Sequence, residues 1–252
     1  MVRTEPRNRR SRGWLRRIGG FALIIGLAAV ACTAAPIALM RFIDPLTSAF
    51  MIESRFADPA TGRPCDGVEH QWVDLEAMSP HLPLAILVAE DQRFFQHAGF
   101  DFDEIASALA ERIEGRRLRG ASTVSQQVAK NLFLWPGRSL ARKTLEAWFT
   151  SWLEWLWPKR RILEVHLNVA QFGPCVFGSE AASFRYFGTD AASLSASEAA
   201  LLAAVLPNPS QISAHDPGPY ARQRQQEILD SMARHETIGL GTQLRQLRAA
   251  PR

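Results

Sequence analysis

The feature that most constrains this chain is an apolar stretch near its start that carries no charge. The stretch runs from Gly19 to Met40. A helix of about 20 apolar residues spans the hydrocarbon core of a bilayer, and lipid forces the backbone groups to bond within the segment. A cleavable signal peptide is the alternative, although its apolar region is normally shorter. We therefore predict one transmembrane helix over residues 19–41.

A basic arm precedes the apolar stretch. Residues 1–17 contain seven arginines and a single acid, Glu5, whereas the rest of the chain is close to neutral. Positive residues are retained on the cytoplasmic side of a membrane helix. The arm, residues 1–18, is therefore predicted to be cytoplasmic. The chain that follows the transmembrane helix is predicted to lie on the opposite side of the membrane. The net charge of +4 comes from this arm, so nucleic acid is not an expected partner.

The sequence after the predicted anchor has the pattern of helices. Residues 42–80 are broken by repeated proline and glycine and are predicted to form a connector. Over residues 81–220 apolar side chains recur at helical spacing, for example from Asp103 to Arg117, and strand signals are sparse. Residues 221–252 are polar, rich in arginine and glutamine, and helix-prone. The predicted fold class is therefore mainly α, with one globular domain and a C-terminal polar helical segment.

The chain contains three cysteines. Cys32 lies in the predicted anchor, whereas Cys65 and Cys175 would share an oxidising compartment in which a disulfide is permitted. No metal-binding spacing such as CxxC occurs. From the sequence alone, two unrelated free thiols are preferred over a disulfide.

Two adjacent acids, Glu90 and Asp91, stand at the predicted end of a helix, close to Phe94 and His97. A carboxylate beside aromatic surface is partly desolvated, which raises its pKa and makes it a usable general base. On composition alone, a solvated helix end with a structural histidine is the plainer interpretation.

Hydroxyl and cationic groups follow in two further segments. Ser122 or Thr123 can cap the next helix and leave its N–H groups facing an anion. Arg142 stands four residues before Glu146, a spacing typical of a solvated ion pair that contributes little stability. Each pattern, taken alone, indicates ordinary helix chemistry.

Taken together, these segments resemble the glycosyltransferase domain of peptidoglycan polymerases, glycosyltransferase family 51. The resemblance extends over about Leu82 to Pro209 and consists of five motifs in the order of the family. The motifs are EDxxFxxHxGxD at 90–101, GxSTxxQQxxKN at 120–131, RKxxE at 142–146, a segment beginning ILE at 162–188, and ExAxLAAxLPxP at 198–209. Five ordered motifs are a far more specific signal than any one of them.

The resemblance implies a fold similar to lysozyme, with a larger helical head and a smaller membrane-proximal jaw. It implies lipid II and the growing glycan strand as substrates, and inverting transfer that forms β-1,4 links and releases polyprenyl diphosphate. The implied location is the bacterial inner membrane, with the catalytic domain in the periplasm. Proteins of cell-wall synthesis or division are the implied protein partners.

The resemblance also assigns roles to residues. Glu90 matches the general base that deprotonates the acceptor 4-hydroxyl, and Glu146 matches the second catalytic carboxylate. Lys130 and Arg138 match the cations that hold the diphosphate, with or without Mg²⁺ or Mn²⁺, so no cofactor is required and no metal ligand is assigned. The positions that match residues shaping or lining the cleft are Asp91, Phe94, His97, Ser122, Thr123, Gln126, Gln127, Arg142 and Asn168.

The departures from the family pattern are small. His166 stands where tyrosine is usual, and Gln171 stands where an acid or tyrosine is common; neither is assigned chemistry. No SxxK, SxN and KTG set of a transpeptidase occurs, so we expect a monofunctional enzyme. A lytic transglycosylase or lysozyme-like hydrolase is the nearest alternative, and an inactive membrane scaffold is another.

One apolar run stands apart from the motifs. Phe133, Leu134 and Trp135 follow one another directly before Pro136. They are equally consistent with a buried helix end and with a lip that dips into the outer leaflet, where tryptophan is favoured.

Overall fold

The computed structural model describes residues 9–113, 122–236 and 239–249, and within them the protein is mainly helical. This confirms the mainly α fold class and the single apolar helix near the N-terminus. The elements are α1 (Arg9–Met40), α2 (Ala49–Ala57), β1 (Glu69–His70), α3 (His81–Glu90), α4 (Phe102–Ile113), α5 (Val124–Phe133), α6 (Leu140–Leu156), α7 (Lys159–Val169), β2 (Gln171–Gly173), β3 (Val176–Phe177), α8 (Ser179–Phe187), α9 (Ala196–Val205), α10 (Pro219–His235) and α11 (Leu240–Ala249).

Some predicted features lie outside the described residues. They are residues 1–8 of the basic arm, residues 114–117 of the predicted helix that begins at Asp103, Gly120 of the second motif, and residues 250–252.

The first helix, α1, is continuous through the apolar stretch. Among the described residues it is the one helix that is long and apolar enough to cross a membrane, over Arg17–Met40. Large apolar side chains on it, such as Phe21 and Ile25, are exposed rather than packed against protein. The helix therefore fits a single-pass membrane anchor.

The C-terminal end of α1 is hydrogen-bonded to the globular part of the protein. A helix leaves its last carbonyl groups without intrahelical partners. Trp157 donates from Nε1 to the carbonyl of Ile37 at 2.7 Å. The Arg161 guanidinium donates to the carbonyls of Met40 at 3.0 Å and Ile43 at 2.9 Å. Since a cation also suits the negative end of the helix dipole, Arg161 holds this end of α1 against α7.

The central helix, α7, is buried on all sides. Every residue from Arg160 to Val169 is buried, including the charged and polar ones. Buried polar groups need hydrogen-bond partners, and the connector supplies several of them. Glu164 accepts from the backbone N–H of Leu75 at 3.2 Å. Asn168 accepts from the N–H of Val73 and donates to its carbonyl, both at 2.9 Å, so the connector is held against the core.

The remaining helices pack around this centre. Helices α3, α9 and α10 pack against one another, and α5 packs against both α6 and α7. In the small sheet, β3 lies between β1 and β2, parallel to β1 and antiparallel to β2. The predicted domain boundary at residue 220 falls in the first turn of α10, so the polar C-terminal sequence begins against the core.

The apolar run after α5 is largely part of the core. Leu134 is buried, and Phe133 is half-buried and stacks on Phe149 with 4.7 Å between ring centroids. Trp135 alone of the three is exposed, at 48% of its surface. The hypothesis of a membrane lip made by all three residues is therefore wrong, because two of them have protein partners.

Cys65 and Cys175 form a disulfide across 110 residues of sequence. The preference for free thiols is therefore wrong. The sequence did not reveal the pairing because it depends on the connector meeting the turn between β2 and β3. Asp58 stabilises that meeting: its carboxylate accepts from the N–H of Cys175 at 3.1 Å and from Gln171 Nε2 at 2.8 Å.

We predict that replacing both Cys65 and Cys175 by serine lowers the free energy of unfolding by about 2–4 kcal/mol, because the disulfide closes a long loop in the unfolded chain. Denaturant unfolding of the detergent-solubilised protein, with and without reductant, measures this. Cys32→Ser is the matched control, since Cys32 is exposed and free. Equal unfolding midpoints for the double variant and the control would contradict the prediction.

Candidate active site

Glu90 is the last residue of α3 and lies at the edge of a cleft. The preceding residues of α3, from Leu82 to Val88, are all buried, which fixes the helix in the core and places its C-terminal end at the surface of the cleft. Gln127 on α5 donates from Nε2 to Glu90 Oε2 at 2.6 Å. The site therefore begins with a carboxylate that a neutral amide holds in place.

The surroundings of Glu90 suit a base. Burial raises the pKa of the Glu90 carboxyl above its ordinary value, and the charge of Asp91 acts in the same direction. The hydrogen bond from Gln127 and the charges of Arg224 and Lys130 oppose this rise in the pKa. The sequence predicts that neighbouring aromatic residues desolvate Glu90, and of these Phe94 is fully buried in the core.

Asp91 connects the first two motifs. Its carboxylate accepts from His97 Nε2 at 2.9 Å and from the N–H of Val124, the first residue of α5, at 3.0 Å. The N–H of Gly99 donates to His97 Nδ1 at 3.1 Å, so Nδ1 is the acceptor and Nε2 carries the proton. Asp91 and His97 therefore act as structural partners of the helix that supplies Gln127.

Gly99 is required by a close approach. Its φ is +89°, and a Cβ at this position would stand 2.8 Å from Thr150 Cγ2 on α6. Its carbonyl accepts from Thr123 Oγ1 at 2.7 Å. The turn of the first motif thus packs against α6 and against the start of α5.

The start of α5 is capped by its own side chains. Thr123 Oγ1 accepts from the N–H of Gln126 at 3.2 Å, and Gln126 Oε1 accepts from the N–H of Thr123 at 3.1 Å, a capping box. With the N–H of Val124 bonded to Asp91, these groups do not face outward to an anion. The capping box confirms the interpretation of this segment as an ordinary capped helix, in which Gln126 and Thr123 serve the cap.

Glu146 is buried on α6 and bonded to two cations from the preceding turn. Arg142 donates to Glu146 Oε2 at 2.7 Å, and Lys143 forms an ion pair with Oε1. Lys143 also donates to Ser122 Oγ at 3.3 Å, which joins the segment before α5 to α6. A buried carboxylate with both oxygens paired differs from the solvated ion pair that the spacing suggested.

Lys130 is a cation on which the charges of both glutamates act. It is half-buried on α5, with its ammonium 5.5 Å from the ring centroid of Phe50. Burial lowers the pKa of Lys130, and Arg142 and Lys143 act in the same direction. The charges of Glu146 and Glu90 oppose that shift, Glu146 the more strongly. One ammonium thus interacts with both carboxylates.

Arg138 lies in the loop between α5 and α6. It is exposed, and within the described part of the chain it has no hydrogen-bond or ion-pair partner. Its guanidinium is therefore available to an anionic ligand.

Two predicted cleft residues lie elsewhere. Phe94 is wholly buried, with the ammonium of Lys159 4.5 Å from its ring centroid. Asn168 is also wholly buried and its amide is bonded to the backbone of Val73 and Glu164. Both support the site from within the core instead of lining it.

The cleft beside Glu90 has a volume of about 690 Å³ and a wall that the sequence motifs did not indicate. That wall is one face of α10, and its members are Tyr220, Gln223, Arg224, Glu227, Ile228, Ser231 and Arg234. Arg224 donates to the carbonyl of Ala89, directly before Glu90, at 3.3 Å. The spacing of these residues by three and four is the signal that could have indicated the face. Lys130, Arg138 and Glu146 do not line this cavity in the described part of the chain.

One group of potential metal ligands occurs among the described residues, and it lies in the disulfide region. The group is Asp58, Cys65 and Cys175. The two sulfurs are bonded to each other, so no thiolate remains to bind a metal.

Comparison with known proteins identifies the family of the chain. A family model described as Transglycosylase matches residues 60–233. Biosynthetic peptidoglycan transglycosylases are similar along most of the chain. The one from Xylella fastidiosa (strain 9a5c) is 48% identical over 87% of this chain and 91% of its own length. Those from Shewanella oneidensis and Aeromonas hydrophila are 50% and 48% identical, over 78% and 89% of this chain and 83% and 94% of their own lengths. The chain belongs to the peptidoglycan transglycosylase family, glycosyltransferase family 51.

Proposed function

We propose that the protein polymerises the glycan strands of peptidoglycan at the outer face of the bacterial inner membrane. Its substrates are lipid II and the growing strand linked to lipid diphosphate. The observation that carries the proposal is the arrangement of two glutamates in different surroundings, Glu90 bonded to an amide at a cleft and Glu146 bonded to two cations, with Lys130 acting on both.

The reaction follows from this chemistry. Glu90 accepts the proton of the 4-hydroxyl of the acceptor N-acetylglucosamine, and that oxygen attacks C1 of the donor N-acetylmuramic acid. The bond from C1 to the phosphate oxygen breaks, the configuration inverts to a β-1,4 link, and polyprenyl diphosphate leaves with the bonding electrons. Because the sugar is already activated by diphosphate, a base and fixed positive charge suffice.

The donor side requires cations where charge develops. Lys130 is partly desolvated and Arg138 has a free guanidinium, so both suit the leaving diphosphate. Both oxygens of Glu146 already accept from Arg142 and Lys143. This donor set favours a diphosphate neutralised by side chains, and we propose that Mg²⁺ or Mn²⁺ is not required.

The acceptor side has polar groups suited to a sugar. The cleft beside Glu90 combines the amide of Gln223 and the phenol of Tyr220 with the guanidinium of Arg224. Such groups hydrogen-bond hydroxyl and acetamido groups. We assign this cleft to the acceptor because Glu90 borders it.

We expect Glu90→Gln to reduce the rate of glycan synthesis by about a hundredfold or more, because glutamine has the shape of the glutamate side chain but cannot act as a base. Polymerisation of labelled lipid II measures the rate, and circular dichroism checks the fold. Glu104→Gln is the matched control, an acid on the same cleft. Near-normal synthesis by Glu90→Gln would contradict the assignment.

Lys130→Ala and Arg138→Ala should each weaken an inhibitor that mimics lipid diphosphate by about 1.5–3 kcal/mol, the range for a charged hydrogen bond. Titration calorimetry or fluorescence anisotropy gives the dissociation constants. Arg63→Ala, at an exposed arginine of the connector, is the control and should leave affinity unchanged. Wild-type affinity for the inhibitor in both single variants would contradict the proposed role of Lys130 and Arg138 in binding diphosphate.

The proposed orientation has the N-terminus in the cytoplasm, since the arginines precede α1. A reporter that is active only in the cytoplasm, fused after Arg252, should be silent, whereas the same reporter fused before Met1 should be active. The reverse pattern would overturn the orientation.

A further inference from the structure

A line of polar contacts runs from the core to the proposed base. His166 on α7 has its Nε2 3.1 Å from Gln127 Oε1 on α5. Gln127 in turn donates from Nε2 to Glu90 Oε2, at the end of α3. Three helices thus meet through one histidine, one amide and one carboxylate.

The state of His166 is fixed by its surroundings. The ring is fully buried, and burial together with the charge of Lys130 lowers the pKa of His166 to about 3. The neutral ring carries one proton, and an amide oxygen can only accept. The proton is therefore on Nε2, which donates to Gln127 Oε1.

Core packing alone gives no reason for a histidine at this position. Its Nδ1 is buried without a hydrogen-bond partner among the described residues. Such an unpaired group is unfavourable, and an apolar side chain of similar size would avoid it. The benefit of the imidazole lies at its other nitrogen, toward Gln127.

The His166 ring and the Glu90 carboxylate together select one orientation of the Gln127 amide. If the amide were turned over, its oxygen would face Glu90 Oε2 at hydrogen-bond distance, and two acceptors would oppose each other. The turned amide would also need His166 protonated on Nδ1, which has no described acceptor beside it. A donor at Nε2 permits a single arrangement, in which Gln127 donates to the Glu90 carboxylate.

We propose that His166 is a positioning residue for the base: through Gln127 it holds Glu90 as a proton-accepting carboxylate. The inference rests on the proposed function, because it assumes that Glu90 is the base. The other charged groups that act on Glu90 are Lys130 on α5, Arg224 on α10 and the adjacent Asp91. These groups remain in place when His166 is changed.

The expected signature is a shift of the pH–rate profile. The base must be unprotonated, and the hydrogen bond from Gln127 lowers the pKa of Glu90. When that bond is weakened the pKa of Glu90 rises, so activity is lost at a higher pH as the solution is acidified. We expect the acid limb of the kcat profile to move up by about 0.5–1 pH unit, while KM for lipid II changes little.

The test compares His166→Gln with His166→Asn in the full chain, using labelled lipid II across pH. The glutamine amide nitrogen replaces Nε2 and should keep the wild-type limb. The asparagine nitrogen reaches only the position of Nδ1, so this variant should show the shift, as should His166→Leu. His70→Leu is the control for a lost histidine that is half-buried, because His70 bonds to the Asn168 carbonyl instead of Gln127.

Each outcome decides the question. A wild-type limb in His166→Asn, or equal shifts in the glutamine and asparagine variants, overturns the inference. If the His166 variants do not fold, Gln127→Leu removes the hydrogen bond between Gln127 and Glu90 instead. An unshifted acid limb in Gln127→Leu then overturns the inference. A wild-type protein that makes no glycan from lipid II at any pH contradicts the proposed function, which distinguishes that failure from failure of the role of His166.

Discussion

The hydrogen bonds of the Asp91 carboxylate are the interaction on which the site depends. A buried acid left unpaired is strongly unfavourable, so its two partners are held firmly. One partner is the first N–H of α5, which fixes the start of that helix against the end of α3. Gln127 then meets Glu90, and Lys130, one turn farther along α5, acts on both Glu90 and Glu146. The first and second motifs become one site through this contact.

The two glutamates differ in what compensates their charge. Glu146 has two cations from its own helix, so its charge is balanced before any substrate arrives. Glu90 has a neutral amide as its donor. Within the described residues it can therefore gain a proton without breaking a hydrogen-bonded ion pair. This asymmetry suits one carboxylate to proton transfer and the other to fixed electrostatic organisation of the donor side.

Features that depend on local sequence could be predicted. The apolar run gives the long helix α1, and the Ser-Thr pair gives the cap of α5. The ordered motifs indicated Glu90, Lys130 and Glu146, and the charges of both glutamates act on Lys130. Contacts between distant segments could not be predicted in this way. The disulfide, the burial of Asn168 and the wall formed by α10 all depend on which helices pack together. His166 received no role because its partner Gln127 is 39 residues away in sequence and belongs to another helix.

The attachment of α1 to α7 has a geometric consequence. Arg161 and Trp157 bond to the last turn of α1, and the helix continues unbroken into its apolar part. One end of this helix is fixed by hydrogen bonds, and each residue along it turns the side-chain direction by about 100°. Adding or removing a single residue on the N-terminal side of this last turn would keep the length of α1 almost unchanged, but it would turn a different side of α1 toward α6. The register of this helix therefore sets which face of its apolar part lies on the same side as the cleft, while the length of the helix changes little.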